Sequence, residues 1–317
     1  MAKIAIVTPF PPHGIGGGET FVKALFNEAS KENDVHIITI GKAANCWQGT
    51  PILKSFGLLW KLLIELFKRE NSKYDIYHAQ GIIAALACVL YQFFTFKKKK
   101  LLITILALYD FKINPWWCVC KLILNRADKI FVEGQTGRQD LLDCGVEEDK
   151  IVEFYHWVDL EKFKPIAKSH DGDISILFIG RPIRIKGKHI IEQTERILFY
   201  AKQLKFKYVE NLSHEELINY YQEADVLVVP SLYSEGFPRV IFEAAACGCL
   251  IIASNKGSLP ELVSPFGESI SPTPEEFARC LKQINYEYIK KWSAFTRKYA
   301  ERFFSPKNAE VFLKEYR

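Results

Sequence analysis

Two glutamates eight positions apart, Glu235 and Glu243, stand in the otherwise apolar stretch SLYSEGFPRVIFEAAACGCLIIAS, residues 231–254. Ionised carboxylates are rarely placed among apolar side chains without a partner. Pro238 suits the first turn of a helix and Gly248 its C-terminal cap, which puts Glu235 in the loop before the helix and Glu243 on its second turn. On that placement both carboxylates face one ligand, with Gly236 and the amides of Phe237, Arg239 and Val240 between them. A carboxylate accepts two hydroxyls, so a ribose diol or a sugar is a fitting partner. Pairing of Arg239 with Glu243, four apart on one helix, accounts for Glu243 equally well. It does not account for Glu235 and Gly236.

Three further stretches carry residues of chemical interest. In GRPIRIKGKHI, residues 180–190, Arg181 and Lys186 follow an apolar run and precede a helical pattern. Two cations beside a helix N-terminus make a diphosphate site and can stabilise charge developing on a leaving group. A solvated basic loop, with Arg184 and Lys188 beside them, is the plain alternative. In PFPPHGIGGGET, residues 9–20, Gly16, Gly17 and Gly18 mark a strand-to-helix turn whose exposed amides favour an anion. It is no dinucleotide fingerprint, because Glu19 occupies the sixth position, and it lacks the Lys-Ser/Thr ending of a P-loop. A flexible turn explains it as well. His78, near the end of the apolar run YDIYHAQ, is a candidate for contacting a ligand in the cleft, the acceptor if the chain transfers a group as the resemblance below implies; a structural role is equally open. Asp171-Gly172-Asp173 has the look of a metal-binding DxD but reads better as a solvated turn.

The elements that must position these residues follow from hydrophobic patterning. Strand-like runs (KIAIVTPF, DVHIITI, YDIYHAQ, KLLITIL, ADKIFVEG, KIVEFY) alternate with helical segments, including 51–69, one from Ile82 and 136–143. After a break near 160–173 the alternation restarts with ISILFIG, ADVLVVPS and CLIIAS. Apolar strands alternating with helices predict α/β architecture: two Rossmann-like, doubly wound parallel-sheet domains. We expect domains over 1–165 and 166–300; residues 301–317 are left to the resemblance described below. Ligands of such sheets bind beyond the carboxyl ends of strands, where these loops fall.

Composition narrows the partners. The chain has 317 residues, 49% of them hydrophobic and 25% charged, with a net charge of +5. That length sustains two cores. The mild positive balance suits an anionic small molecule or a membrane surface and does not suit nucleic acid. Neither Cys118/Cys120 nor Cys247/Cys249 has a second pair at zinc spacing, so the eight cysteines read as reduced thiols of a cytoplasmic protein. The strand pattern at the N-terminus leads us to expect no signal peptide. The longest uncharged apolar run, 81–96, is short of the roughly 18 residues of a spanning helix. Residues 51–73, apolar with basic residues interspersed, and the run FTFKKKK at 94–100 would suit peripheral contact with an anionic membrane; a core helix and a solvated turn are the plain alternative.

Taken in order, these segments resemble one family. SEGFPRVIFEAAACG is similar to the EX7E signature of GT-B glycosyltransferases, in particular the retaining family numbered four. PFPPHGIGGGE resembles its N-terminal glycine loop, YDIYHAQG its strand-end histidine motif, and FIGRPIRIKG its phosphate motif. LNRADKIFVEG, VDLEKFKP, GSLPELV and the final FFSPKNAEVFLKEY match further segments, so the resemblance covers nearly the whole chain.

The resemblance implies an N-terminal acceptor domain, a C-terminal donor domain and a tail helix over 301–317 returning to the N-terminal domain. It implies that Glu235 contacts the donor sugar near the reacting centre and that Glu243 holds the ribose. Arg181 and Lys186 would bind and neutralise the diphosphate. Gly17 and Gly18 would approach the donor from the opposite domain, and Gly236, Phe237, Arg239 and Val240 would line its site. The donor would be a nucleotide-diphosphate sugar, with no cofactor and no metal besides. The acceptor would be a saccharide or a lipid-linked saccharide of a cell-surface glycan. The chain departs from the pattern where a histidine usually follows a threonine, at Leu106 or Leu108, and where Asn-Gly usually precedes Val158-Asp159, here His156-Trp157. Its second domain is also short of a strand, a turn and a helix. An inactive relative that binds nucleotide or glycan as a partner subunit, and a sugar-nucleotide epimerase, are the alternatives.

Overall fold

The computed structural model describes residues 1–9, 11, 14, 16–40, 52–68, 73–106, 117–168, 172–210, 212 and 214–317. They form two compact units, Met1–Phe154 with Ala309–Arg317, and Tyr155–Asn308.

The first unit is a parallel sheet of β1 (Lys3–Thr8), β2 (Asp34–Thr39), β3 (Ile76–Gln80), β4 (Lys100–Ile105), β5 (Lys129–Glu133) and β6 (Ile151–Phe154), in the order β2-β1-β3-β4-β5-β6. Successive strand residues point to opposite faces. Ala5, Val7, Tyr77, Ala79, Ile103 and Val132 therefore enter one core, under α2 (Ile52–Lys68), α3 (Ile82–Thr95), α4 (Trp117–Leu124) and α5 (Gly134–Asp143). Ile4, Ile6, His78, Leu102, Thr104 and Phe131 are buried too, outside that core. Phe131 and His78 meet the helix that covers them, α12 (Glu310–Tyr316), whose Phe312 ring lies 4.3 Å from that of Phe131 and 4.9 Å from that of Phe154. The ring of Phe21, on α1 (Gly17–Ala29), lies 5.8 Å from Phe312. Covering both faces is why these strands read as unbroken apolar runs rather than alternating ones.

The second unit orders its parallel strands β11-β10-β9-β7-β8, from β7 (Ile174–Ile179), β8 (Leu204–Val209), β9 (Val226–Val229), β10 (Leu250–Ser254) and β11 (Gly267–Ile270). The crossovers are α6 (Lys188–Ile197), α7 (His214–Glu223), α8 (Arg239–Ala246) and α9 (Leu259–Val263), followed by α10 (Pro274–Lys282) and α11 (Tyr286–Phe303). The expected tail over 301–317 is divided: residues up to Phe303 complete α11, and only Ala309–Arg317 belongs to the first unit.

Each sheet has one point where the chain reverses its direction of travel across the strands. In the first unit it lies between β1 and β3, in the second between β7 and β9. Loops leaving neighbouring strands there diverge and open a crevice. The glycine loop and His78 fall at the first point; Arg181, Lys186 and Glu235 fall at the second. α4 was not anticipated, because WCVCKLIL is apolar without a helical period.

Candidate functional site

In the second unit, loops leaving three adjacent strands converge. The loop after β7 makes a short turn over Arg184–Lys186 and enters α6 through Gly187. Gly187 holds φ +76°, a left-handed conformation that favours glycine. A Cβ at this position would overlap the carbonyl oxygen of Pro230, at the end of β9. The Leu232 amide donates to the Ile185 carbonyl at 2.8 Å, so the two loops are fastened by their main chains. The loop after β10 closes the third side. Gly257 pairs with Glu235 as a single parallel bridge, and the Ser258 amide donates to the Glu235 carbonyl at 2.8 Å.

This fastening brings two sequence-selected residues into contact. Lys186 Nζ donates to Glu235 Oε2 at 2.8 Å, and Ser231 Oγ donates to Glu235 Oε1. The Ser231 carbonyl accepts from Ser254 Oγ at 2.7 Å, which ties the serine to β10. The ammonium also lies 5.2 Å from the ring centre of Tyr233. Burial disfavours the charged amine, but Glu235, helped by Tyr233, outweighs it and holds the Lys186 pKa above that of a free lysine. Burial raises the Tyr233 phenol, as does Glu235, while Lys186 and Arg181 pull it back. Arg181 is thus close enough to act on the same cluster. Two cations, a single buried carboxylate and the N-termini of α6 and α8 leave a positive field at the ends of β7 and β9. Such a field binds an anion; the carboxylate and the hydroxyls of Ser231 and Tyr233 add groups that hydrogen-bond a polyol.

Glu243 belongs to a different cluster. α8 begins at Arg239 with Pro238 as its N-cap, and it ends in a Schellman cap in which Gly248, at φ +80°, donates to the Ala245 carbonyl and Cys249 to that of Ala244. The carboxylate on the second turn is fully buried. It accepts from Tyr221 Oη at 2.8 Å and lies 3.6 Å from Arg239 Nε, the internal pair that the four-residue spacing allows. Arg239 Nη2 donates to the Trp157 carbonyl at 3.4 Å. Burial, the Arg239 charge adding to it, lowers the pKa of neighbouring His156 well below its ordinary value, with Glu243 working the other way. The Phe237 side chain is buried and stacks on Tyr155 at 5.3 Å between ring centres, so it is a core residue of its own unit. Gly236 and Val240 are half-buried.

The remaining candidates lie in the first unit. Gly17 and Gly18 start α1, where the glutamate after them, Glu19, folds back over Gly14 and Gly16. His78 is completely buried: Nδ1 lies 2.5 Å from Tyr316 Oη and Nε2 2.7 Å from Thr104 Oγ1. Burial depresses its pKa to about 3, so the ring is neutral and spends both nitrogens on the protein. Leu106 follows β4 and is half-buried; Leu108 lies outside the described residues. Asp173 lies 3.5 Å from Lys205, and Asp171 is outside the described residues.

Ser231, Tyr233 and Tyr221 escaped the sequence reading. A serine or tyrosine in an apolar stretch has no spacing signal of its own; only contact with Glu235, Lys186 and Glu243 marks them.

Residues 159–298 match the family model described as Glycosyl transferases group 1, and residues 15–162 match that of Glycosyltransferase Family 4. The chain belongs to the family 4-type GT-B glycosyltransferases. This glycosyltransferase is 25% identical over 289 residues, 77% of its length and 80% of the relative's, to an uncharacterized 41.2 kDa protein in the cps region of Klebsiella pneumoniae. Several curated glycosyltransferases are matched over less than half of their own length. Among solved structures, the sucrose-phosphate synthase of Thermosynechococcus elongatus superposes with a TM-score of 0.80 at 20% identity, covering 99% of this chain and 98% of that one. HepE of Anabaena, in complex with UDP and glucose, does so with a TM-score of 0.73 at 16% identity, covering 99% of each chain. At these identities the structural likeness establishes the two-domain fold of the glycosyltransferase.

Proposed function

We propose that this glycosyltransferase moves a sugar from a nucleotide-diphosphate sugar to a saccharide or lipid-linked acceptor, with retention of anomeric configuration, in the assembly of a cell-surface glycan. The observation that carries the reading is the Lys186–Glu235 pair at the switch point of the second sheet. Lys186 and Arg181 hold the diphosphate and neutralise it as the bond to the sugar breaks, while Glu235, fixed by Ser231, meets the sugar hydroxyls. Gly17 and Gly18, at the N-terminus of α1, serve the donor from the glycine loop. The complex of HepE with UDP and glucose supports a nucleotide-sugar donor, and the cps-region relative supports a surface glycan. Retention rests on the family resemblance. The cations and helix ends also supply the positive charge that a divalent metal would bring, so we expect turnover that chelation leaves unchanged.

Two roles are open to Glu243. Resemblance assigns it to the ribose; the geometry favours an internal anchor, because the carboxylate is enclosed by Tyr221 and Arg239.

Thermal-shift measurements with UDP, GDP, ADP and their sugars, followed by donor turnover and NMR of the product anomer, test the proposal. One nucleotide series should raise the melting temperature, and the product should keep the donor's anomeric configuration. Lys186→Ala should lower turnover about 10²–10³-fold with the fold intact. No stabilisation by any nucleoside diphosphate would sink the donor site. Binding without turnover on any acceptor would favour the inactive-relative reading, for which Leu106 is the motivating residue. Interconversion of the donor alone would point to an epimerase.

A further inference from the structure

The first unit exposes an aromatic surface that its fold does not use. On α2, Leu58, Leu62, Leu63 and Leu66 fill the core, as an amphipathic helix should. The opposite side of the same helix carries Phe56, Trp60, Ile64 and Phe67, at helical spacing and all exposed; Trp60 has 67% of its surface in water. The stripe continues onto α3, where the Phe67 ring meets Tyr91 edge-on at 5.1 Å. α3 then ends in Phe93 and Phe94, both exposed, and Phe96.

Phe96 is costly twice over. Its backbone is left-handed, φ 54° and ψ 25°, at a helix cap normally given to glycine or asparagine. The residue is 93% exposed, so burial among the described residues offsets neither the strain nor the hydration of the ring. Lys97, Lys98 and Lys99 follow directly, and among the described residues no ion pair holds any of them. Lys100 is different: its ammonium lies 2.9 Å from Glu315 Oε2, which removes it from the basic run. Exposed apolar side chains gathered in this way mark interaction sites, and exposed rings bordered by lysines match a bilayer of acyl chains beneath anionic headgroups.

We propose that the exposed side of α2 and the C-terminal end of α3 form a membrane-docking surface for an anionic bilayer. The aromatic rings enter the headgroup–acyl boundary, and Lys97–Lys99, with Lys61 of α2, face the lipid phosphates; Lys68 is held by Glu65 at 3.2 Å. This deepens the lipid-linked reading of the acceptor, yet docking can fail while sugar transfer stands, and the reverse.

Flotation of the full chain with vesicles of neutral phosphatidylcholine, and of phosphatidylcholine with phosphatidylglycerol, tests the surface directly. Association is expected with the anionic vesicles only, weakening as salt is raised, with a blue shift of Trp60 fluorescence that Trp60→Phe removes. Neutralising Lys97, Lys98 and Lys99 to Gln should lower partitioning on the order of 100-fold, from roughly fivefold per lysine. Phe96→Ser should also weaken partitioning, with the melting temperature unchanged or raised. No binding at low salt, or equal binding to both vesicles, overturns the proposal. Self-association abolished by Phe96→Ser, without vesicle binding, assigns the surface to a second copy and overturns it too. Donor turnover, measured in parallel, reports on the transfer reaction alone.

Discussion

Beside the reversal point of the first sheet, a polar side chain in the middle of β3, where the sequence suggested a strand end, is shut in: His78 has no exposure and gives both ring nitrogens to Tyr316 and Thr104. At the reversal point of the second sheet, the polar side chains are held at the surface of the core. Glu235 receives Lys186 and Ser231 while Lys186, half-buried, still meets solvent. Topology creates the same crevice in both places, and local chemistry decides its use. A neutral histidine consumed by a tail helix stabilises its unit. A cation held by one carboxylate beside helix N-termini retains the charge to bind an anion. A polar residue near a topological reversal point is therefore a place to look for function and not evidence of it.

The contrast can be broken most severely inside the second unit. Glu243→Ala should cost about 3–5 kcal/mol, because it leaves Arg239 charged and buried with its carboxylate gone. Differential scanning calorimetry should show the loss in the transition of the second unit. Glu243→Gln separates anchor from ligand contact. If nucleotide affinity falls more than tenfold while the melting temperature holds, the ribose role is right and the anchor reading fails.

Next come two glycines, each preceding a helix with positive φ. Gly187→Ala must relieve an overlap with Pro230 and displaces Lys186, for an expected cost of about 3 kcal/mol and loss of nucleotide binding. Gly81→Ala, at φ +82° and ψ 169° with no heavy atom within 4 Å of the added methyl among the described residues, bears the backbone cost alone, about 1–3 kcal/mol, and should keep nucleotide binding. Nucleotide binding lost in both variants, or in neither, would show that the packing of Gly187 on Pro230 does not matter.

A pH-dependent effect sharpens the reading of His78. Its folded pKa, about 3, lies below the ordinary 6.5. Between these values the unfolded chain takes up a proton that the native ring refuses, so stability falls as pH drops through that window. By pH 5 the contribution is about 2 kcal/mol. His156 in the second unit acts with the same sign. His78→Gln should therefore remove part, but not all, of the difference between melts at pH 7 and pH 5; an unchanged difference would count against the buried neutral ring.

Much of the site was legible because it is local. Pro238 before α8, the Schellman glycine at 248 and the four-residue spacing of Arg239 and Glu243 follow from helix geometry and need no distant partner. The alternation of apolar runs and helical periods likewise predicted parallel sheets in two units; it missed α4, apolar but for Lys121, and β11, whose GESI has no apolar run. The shared cleft expected for Glu235 and Glu243 is not what the side chains adopt: one carboxylate turns to Lys186, the other inward to Tyr221. Eight residues fix their separation along the chain and not which side of the loop each one leaves.

What the sequence alone determined is most of the elements and their buried stripes, since these depend on periods of two and 3.6 residues that any stretch of chain carries within itself. Only the tertiary structure decided which polar groups meet. Lys186 and Glu235 are 49 positions apart, and His78 and Tyr316 are 238 apart. Contacts over such distances are set by strand order and by the few tenths of an ångström at which loops such as Gly187 on Pro230 can pack, and no local pattern encodes them.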